Sequence, residues 1–459
     1  MNSINRKLKK ELIVIGLSCL AFQVGSSAPS SAAPINKSQT TAELPVVNGA
    51  LSLDQAVSLA LKNNLSLNRI RRNLRIARAK TAQAQAARSV SLSTTTYLTT
   101  GSGDTHSMIS GSPGVSPTNS IDVPATGESA DQDLMLMFPL WTGGKLEAAL
   151  REAKSLESAT SGDIAEEQLS VALAAREAYY QVLLAQGIQD AAQKQVDASV
   201  ENARVAQEEY NVGKTNLATL LRYKSASSNA QQSLTTAQNN VQEALIDLKV
   251  VLGLSLSSTI QPASILYEPP PPQPLDQLIA LARKERPILA AAKDRIAATM
   301  SGIKAIHAAF MPQIYLTVVG GSFNTSSFGS GPGYFAGLTI GIPLSEGGSR
   351  HAKIREAKAV MEKAQIGRQS AELQVESEVT KAWLSVQSAE ANVTASQREV
   401  EQATEAERVA RLRVESGKGI YLEELDALAA LFQARLDRVQ ALYSLNTSNA
   451  ELMRATGQM

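Results

Sequence analysis

The sequence repeats itself at one fixed spacing. Pro139-Leu140 recurs as Pro343-Leu344, Gly143-Gly144 as Gly347-Gly348, Glu152-Ala153-Lys154 as Glu356-Ala357-Lys358, Gly213-Lys214 as Gly417-Lys418 and Gly253 as Gly457, each pair 204 residues apart. No net insertion separates the copies over that stretch. Long packed helices impose such a constraint. One added residue turns everything after it by about 100° and moves the apolar stripe off its partner. Upstream, Leu53-Asp54-Gln55 matches Leu275-Asp276-Gln277 at a spacing of 222, so the first copy is longer ahead of its Pro-Leu pair and the excess falls in one loop.

This repeat sets the predicted domain organisation. Residues 1–33 read as a secretory signal: Arg6, Lys7, Lys9 and Lys10 precede the apolar run Leu12 to Phe22, and small residues follow from Gly25 to Ala33. Cys19 sits after Gly16-Leu17-Ser18, a poor lipobox, and reads as an apolar residue of the signal rather than a lipidation site. Residues 34–50 are a flexible lead-in, 51–257 the first copy, 258–274 a linker with four consecutive prolines, and 275–459 the second copy.

Each copy predicts the same order of elements. A helix opens at Ser52, where Ser52 and Gln55 fit a capping box, and runs to about Arg88 without a proline. A β-rich segment, Ser89 to Thr100, a Gly/Ser/Pro loop, Gly101 to Ala130, and a second strand, Asp131 to Leu140, follow. A proline-free helix then runs from Lys145 to about Val212, Gly213 breaks it, and a last helix runs from Leu217 to Leu252, with Gly253 as its C-cap. The second copy predicts a helix to Ala309, strands Gln313 to Ser322 and Tyr334 to Leu344, a long helix to Ser416 and a last helix from Leu422 to Thr456. A helix of that length spans about 100 Å at 1.5 Å per residue, too long for a compact body. The two short helices of a copy, stacked end to end, match the long one.

The strands are long enough, at roughly 10 residues, to cross a bilayer when tilted. Tyr334, Ala336, Leu338, Ile340 and Ile342 fall on one face, and Phe335, Gly337, Thr339 and Gly341 on the other. The first suits lipid and the second a polar lumen. Four strands cannot close a barrel, and open edges are not tolerated in hydrocarbon, so strands that enter a membrane require further copies of the chain. A soluble hairpin capping a rod, in a periplasmic coiled-coil structural or adaptor protein without a pore, is the alternative. The expected fold class is mainly α, with long antiparallel coiled-coil helices and a small membrane β-barrel contribution.

Composition excludes other classes. Hydrophobic residues make up 44% of the chain and aromatic residues only 4%, as expected for Ala- and Leu-rich helices in close contact. A net charge of +1, from 44 basic and 43 acidic residues, argues against a nucleic-acid partner. The single cysteine rules out an intrachain disulfide, and His106, His307 and His351 form no metal-spaced cluster, so no cofactor is expected. The pairs Glu166-Glu167, Glu208-Glu209 and Glu423-Glu424 diverge by about 100° on a helix and make no acid/base dyad, so no enzyme is expected.

The duplicated order resembles the TolC-like outer membrane efflux protein family, the outer membrane factors of tripartite export systems. The residues carrying it, from Ser52 to Gly457, are the Leu-Asp-Gln openings, the Pro-Leu and Gly-Gly exits from the strands, and the glycine-centred tips. The resemblance implies a homotrimer whose twelve strands make one barrel in outer membrane lipid and whose helices make a tunnel across the periplasm. It implies a passive duct docked to a periplasmic adaptor (membrane fusion) protein and an inner-membrane pump or ABC transporter. Drug efflux, metal export and type I secretion are all compatible with it.

The tips carry the expected site: Val212, Gly213 and Lys214 in the first, Gly417, Lys418 and Gly419 in the second, as adaptor-docking residues. Glu423 and Asp426 share a helix face. By pattern alone they read as an acidic helix start favoured by the helix dipole. By resemblance they match acidic rings at the closed periplasmic mouth, which favour cations. Two positions depart from the family: Gly419 stands where it can carry a basic residue, and Thr219 where it can carry an aspartate. Lys214, Lys418 and Glu424 are the candidates to replace a charged latch.

Overall fold

The computed structural model describes residues 44–102, 106–108, 120–122, 126–263, 266–325, 329–416 and 418–458. The expected signal, Cys19, most of the lead-in, part of the loop 101–130 and Gly417 lie outside the described residues.

Two helices dominate the fold, α3 (Lys145–Asn211) and α7 (Ser349–Glu415), each 67 residues long. Each begins after a Gly-Gly pair with positive φ, +61° and +85° at Gly143 and Gly144, and +55° and +86° at Gly347 and Gly348. Only glycine takes such a turn without strain. At Gly143 an added Cβ would also lie 2.5 Å from the Met311 Cβ. Toward the hairpins, α3 packs against α2 (Leu65–Ala86) and α6 (Pro287–Ala308). Toward the tips it packs against α4 (Leu217–Leu252) and α8 (Tyr421–Ala455), and α7 packs on α6 and α8.

The opening helices are not continuous. In the first copy α1 (Leu53–Asn63) stops at Asn64, whose backbone is extended and whose side chain caps α2 by accepting from Leu67 N at 3.2 Å. An asparagine side chain competes with the helix ladder in this way. In the second copy α5 (Leu275–Glu285) stops at Arg286, which the following Pro287 holds extended. The capping box of Ser52 and Gln55 forms in full.

The lead-in and the linker are not free of structure. They hold β1 (Asn48–Leu51) and β6 (Thr259–Pro262), which pair in parallel. Leu51 and Ile260 are buried, and the Tyr179 hydroxyl donates to Leu51 O at 2.9 Å. This pair lies against a core of α1, α3 and α4 residues, including Ala56, Ala60, Ala175, Val182, Leu248 and Leu252.

The loop between the first copy's strands is shorter than predicted. Strand β2 (Ser91–Ser102) runs on to Ser102, β5 (Thr126–Trp141) starts at Thr126, and the short strands β3 (His106–Met108) and β4 (Ser120–Asp122) pair between them. In the second copy β7 (Gln313–Thr325) pairs with β8 (Gly329–Gly341). There β8 stops short of the expected Leu344, because Pro343 offers no ladder donor. The four long strands form one antiparallel sheet in the order β2-β5-β7-β8. Register places Leu92, Leu136, Val318 and Ala336 in one row, and Phe138, Leu316 and Leu338 in the next but one. One face is therefore apolar across the sheet. The other is mixed, carrying Ser93, Thr317 and Thr339 beside Met135, Met137, Val319 and Phe335, with the Thr317 and Thr339 hydroxyls 3.3 Å apart. Among the described residues the outer edges of β2 and β8 have no partner strand.

Candidate functional site at the helical tips

The first tip joins α3 to α4. Val212 ends α3 and is exposed, Gly213 turns the chain at φ +78°, and Lys214 N donates to Glu209 O at 2.8 Å. Asn216 then caps α4 through Thr219 N at 2.9 Å. Thr219, expected as a departure from a charged latch, supplies the capped amide.

The second tip joins α7 to α8. Lys418 N and Gly419 N both donate to Arg413 O, at 2.8 and 2.9 Å. A Cβ on Gly419 would meet the Arg413 Cβ at 2.9 Å and its carbonyl carbon at 3.1 Å. The turn is thus too tight for a side chain at position 419, which accounts for the missing basic residue. Gly417 is outside the described residues.

Along the start of α8, Glu423 and Asp426 are exposed, whereas Glu424 points the other way and is only 6% exposed. The Glu423 carboxylate stands 3.7 Å from the Arg413 guanidinium. Glu424 accepts from the Tyr223 hydroxyl of α4 at 2.8 Å, and the Tyr421 hydroxyl donates to Glu209 of α3 at 2.8 Å. The two rings meet edge to face, with centroids 5.8 Å apart. Burial raises the Glu424 pKa, and Glu407 adds to the rise, against the opposing pull of the Tyr223 hydrogen bond and Arg411. Burial and Glu209 likewise raise the Tyr421 pKa.

Two tyrosine–carboxylate bonds therefore tie α8 to the α3–α4 hairpin. Glu424 is one of the three residues considered as a latch, but Tyr223 and Tyr421 were not singled out by sequence, and Glu209 was weighed only as part of the Glu208-Glu209 pair. Their partners lie 201 and 212 residues away, and no local pattern relates them. Lys214 and Lys418 are exposed, and among the described residues they make no tie between the tips. Among the described residues no group of three or more His, Cys, Asp or Glu is placed to hold a metal ion. No described helix is long and apolar enough to cross a membrane.

A sheet with one apolar face, carried on paired helices that end in tied tips, is the architecture of a known family. The model of that family, described as outer membrane efflux protein, matches residues 56–254 and 278–458. The chain belongs to the outer membrane efflux protein family. It is an outer membrane efflux channel with a large periplasmic part, and its family is one of channels rather than enzymes. It is 24% identical over 421 residues to the outer membrane efflux protein BepC of Brucella suis biovar 1, covering 90% of this chain and 88% of the relative. It is 26% identical over 333 residues to the protein CyaE of Bordetella pertussis, covering 71% and 70%. The solved structure of the outer membrane protein VceC from Vibrio cholerae superposes with a TM-score of 0.72 at 20% identity, over 88% of this chain and 96% of that one.

Proposed function

We propose that the chain is one third of a trimeric export duct, passive in itself and energised by an inner-membrane pump through a periplasmic adaptor. The observation that carries this reading is the four-stranded sheet. Its strands are long enough to cross a bilayer, one face is apolar, and among the described residues the outer edges of β2 and β8 are open. Joining β8 of one copy to β2 of the next satisfies those edges, and three copies give a barrel of twelve strands.

In this reading Val212, Gly213, Lys214, Gly417, Lys418 and Gly419 are what the adaptor grips. Glu423 and Asp426, repeated around the axis, form the acidic mouth that favours cations. The Tyr223–Glu424 and Tyr421–Glu209 bonds hold that mouth closed, and the adaptor opens it by competing for the tips. The shallow groove between Ala406, Val409, Ala410 and Arg413 of α7 and Glu423 of α8 adjoins them as further contact surface.

Native mass spectrometry of the detergent-solubilised protein, followed by planar-bilayer recording, tests this. Trimers that conduct are expected, and Glu423→Ala with Asp426→Ala should lower cation selectivity. A non-conducting, detergent-independent monomer would overturn the duct. Unchanged selectivity would overturn the acidic mouth alone.

A further inference from the structure

The two copies let one contact inside the chain serve as a template for a contact between chains. Within the chain, α3 of the first copy packs on α6 of the second through four defined points. Gly302 faces the Glu152 carboxylate, with 3.2 Å between its Cβ position and Oε1. Ser158 donates to Asp294 at 2.6 Å. Gly162 packs on Ala291 and on the Pro287 carbonyl. Asp163 pairs with Arg295. In a closed ring, α7 of one copy meets α2 of the next in the equivalent way. Shifting α3 positions forward by 204 gives α7 positions, and shifting α6 positions back by 222 gives α2 positions.

The shift turns Glu152 and Gly302 into Glu356 and Lys80. It turns Ser158 and Asp294 into Glu362 and Arg72. Gly162 with Pro287 and Ala291 becomes Ile366 with Leu65 and Arg69, and Asp163 with Arg295 becomes Gly367 with Asn73. Three internal contacts that are uncharged or singly charged thus become two opposite-charge pairs and one apolar pair, while the one internal ion pair becomes a neutral contact. Nothing in the operation favours that outcome by itself. Lys80, Arg72, Glu356 and Glu362 are exposed and have no ion-pair partner among the described residues, and Leu65 and Ile366 are each 65% exposed. Helix α2 also carries six basic residues and no acidic one, against three and one in α6.

We propose that α2 docks on α7 of a second copy of this chain, in the register set by Lys80 with Glu356, Arg72 with Glu362, and Leu65 with Ile366. The proposal rests on the trimeric reading and deepens it, because it names the side chains by which the chain selects its own copies. The ion pairs belong to the half of the seam near the membrane. At the tips the same shift carries Glu209 and Tyr421 to Arg413 and Leu217, so the tyrosine–carboxylate tie is not repeated between chains.

A charge-swap cycle tests the register. Lys80→Glu with Arg72→Glu should speed heat dissociation of the trimer by about tenfold or more, since both pairs turn repulsive at every seam at once. Adding Glu356→Lys and Glu362→Lys should restore most of that loss, the coupling that a merely structural role for any one side chain would not produce. Lys80→Cys with Glu356→Cys should cross-link chains, whereas Lys80→Cys with Glu362→Cys, about two turns away, should not. Trimers without rescue or without the cross-link overturn the register and leave the duct standing. A protein that forms no trimer in native mass spectrometry overturns both.

Discussion

Two carboxylate sites, one partly buried and one buried, join the helices of this chain, and they are held by different partners. Near the α5–α6 break, Arg286, only 3% exposed, reaches Glu166 of α3 at 2.7 Å, Glu378 of α7 at 2.9 Å and Ala455 O at 3.0 Å, while Arg454 adds 3.2 Å and 3.5 Å contacts to the same two carboxylates. At the tip, the buried Glu424 has a phenol instead. A guanidinium inside a protein is always charged and binds in a fork, whereas a tyrosine hydroxyl is one neutral donor. The first site is a fixed joint of four helices. In the proposed duct the second closes the mouth together with the Tyr421–Glu209 bond, and such single hydrogen bonds from neutral donors are exchanged more easily than the forked ion network. A channel that must stay assembled while its end opens needs that difference.

The largest effect should come from breaking the joint. Arg286→Met leaves Glu166 and Glu378 facing Arg454 alone; because both carboxylates are only partly buried and keep that partner, the loss should approach without reaching the about 3–5 kcal/mol of a fully buried pair. Thermal unfolding should show it as a clear fall in Tm, with loss of assembled protein. A variant that melts like the parent would mean the joint is incidental. At the tip, Tyr223→Phe removes a hydrogen bond to a buried carboxylate, worth about 1.5–3 kcal/mol. It should raise the open fraction in bilayer recordings and leave the global Tm nearly unchanged. Tyr421→Phe should do the same more weakly, because Glu209 is less buried than Glu424.

Acid separates the two sites by sign. Burial pushes the Glu378 pKa up, but its hydrogen bonds from Gln374 and Arg286 and the charges of Arg454 and Arg286 hold it below the ordinary 4.5. The stabilisation it gives is therefore present above that value and lost as pH falls through the lowered one. Glu424 is shifted the other way, by burial first. Its folded form takes up a proton at a higher pH than the unfolded form, so tip packing gains as pH falls through the raised value. Between the two, mildly acidic buffer should close the channel more firmly before it weakens the joint. Recordings and melting curves on one sample over a pH series check this, and a mouth that opens on mild acidification contradicts it.

How much of this was visible in the residues depends on which copy a contact joins. The long helices and their turns were legible because an insertion there would misalign everything beyond it. The Arg286 joint was not. Glu166 comes from the first copy and the other three charges from the second. The shift of 204 carries Glu166 to Ser370, Glu378 to Ala174 and Arg454 to Val250, so no repeated motif announces it. The break at Pro287 was open to view, but a helix period alone runs straight through it. The tip ties join residues with no local relation. Net charge misled by cancelling. Above the joint, α2, α6, Lys145–Glu166 and Ser349–Glu378 carry 18 basic and 11 acidic residues, while the rest of α3 and α7 with α4 and α8 carry 14 and 20. The helices are basic on the sheet side of the joint and acidic on the tip side.

The smallest prediction concerns the first copy's version of the joint. Asn64 occupies the position of Arg286 and makes only neutral bonds, its Oδ1 accepting from Leu67 N and its Nδ2 donating to Val251 O at 2.9 Å. The next residue is Leu65 where the second copy has Pro287. Asn64 is already extended, at φ −55° and ψ 128°, the conformation a following proline requires. Leu65 opens α2, where a proline costs no helix hydrogen bond. Leu65→Pro should therefore stabilise the isolated fold by about 0.4–1 kcal/mol through the unfolded chain, a small rise in the monomer's urea midpoint with an unchanged slope. The same substitution removes the apolar side chain proposed to meet Ile366 of the neighbouring copy. The trimer should then dissociate faster even as its subunit resists urea better. A variant in which both measures move together would show that position 65 serves the fold alone.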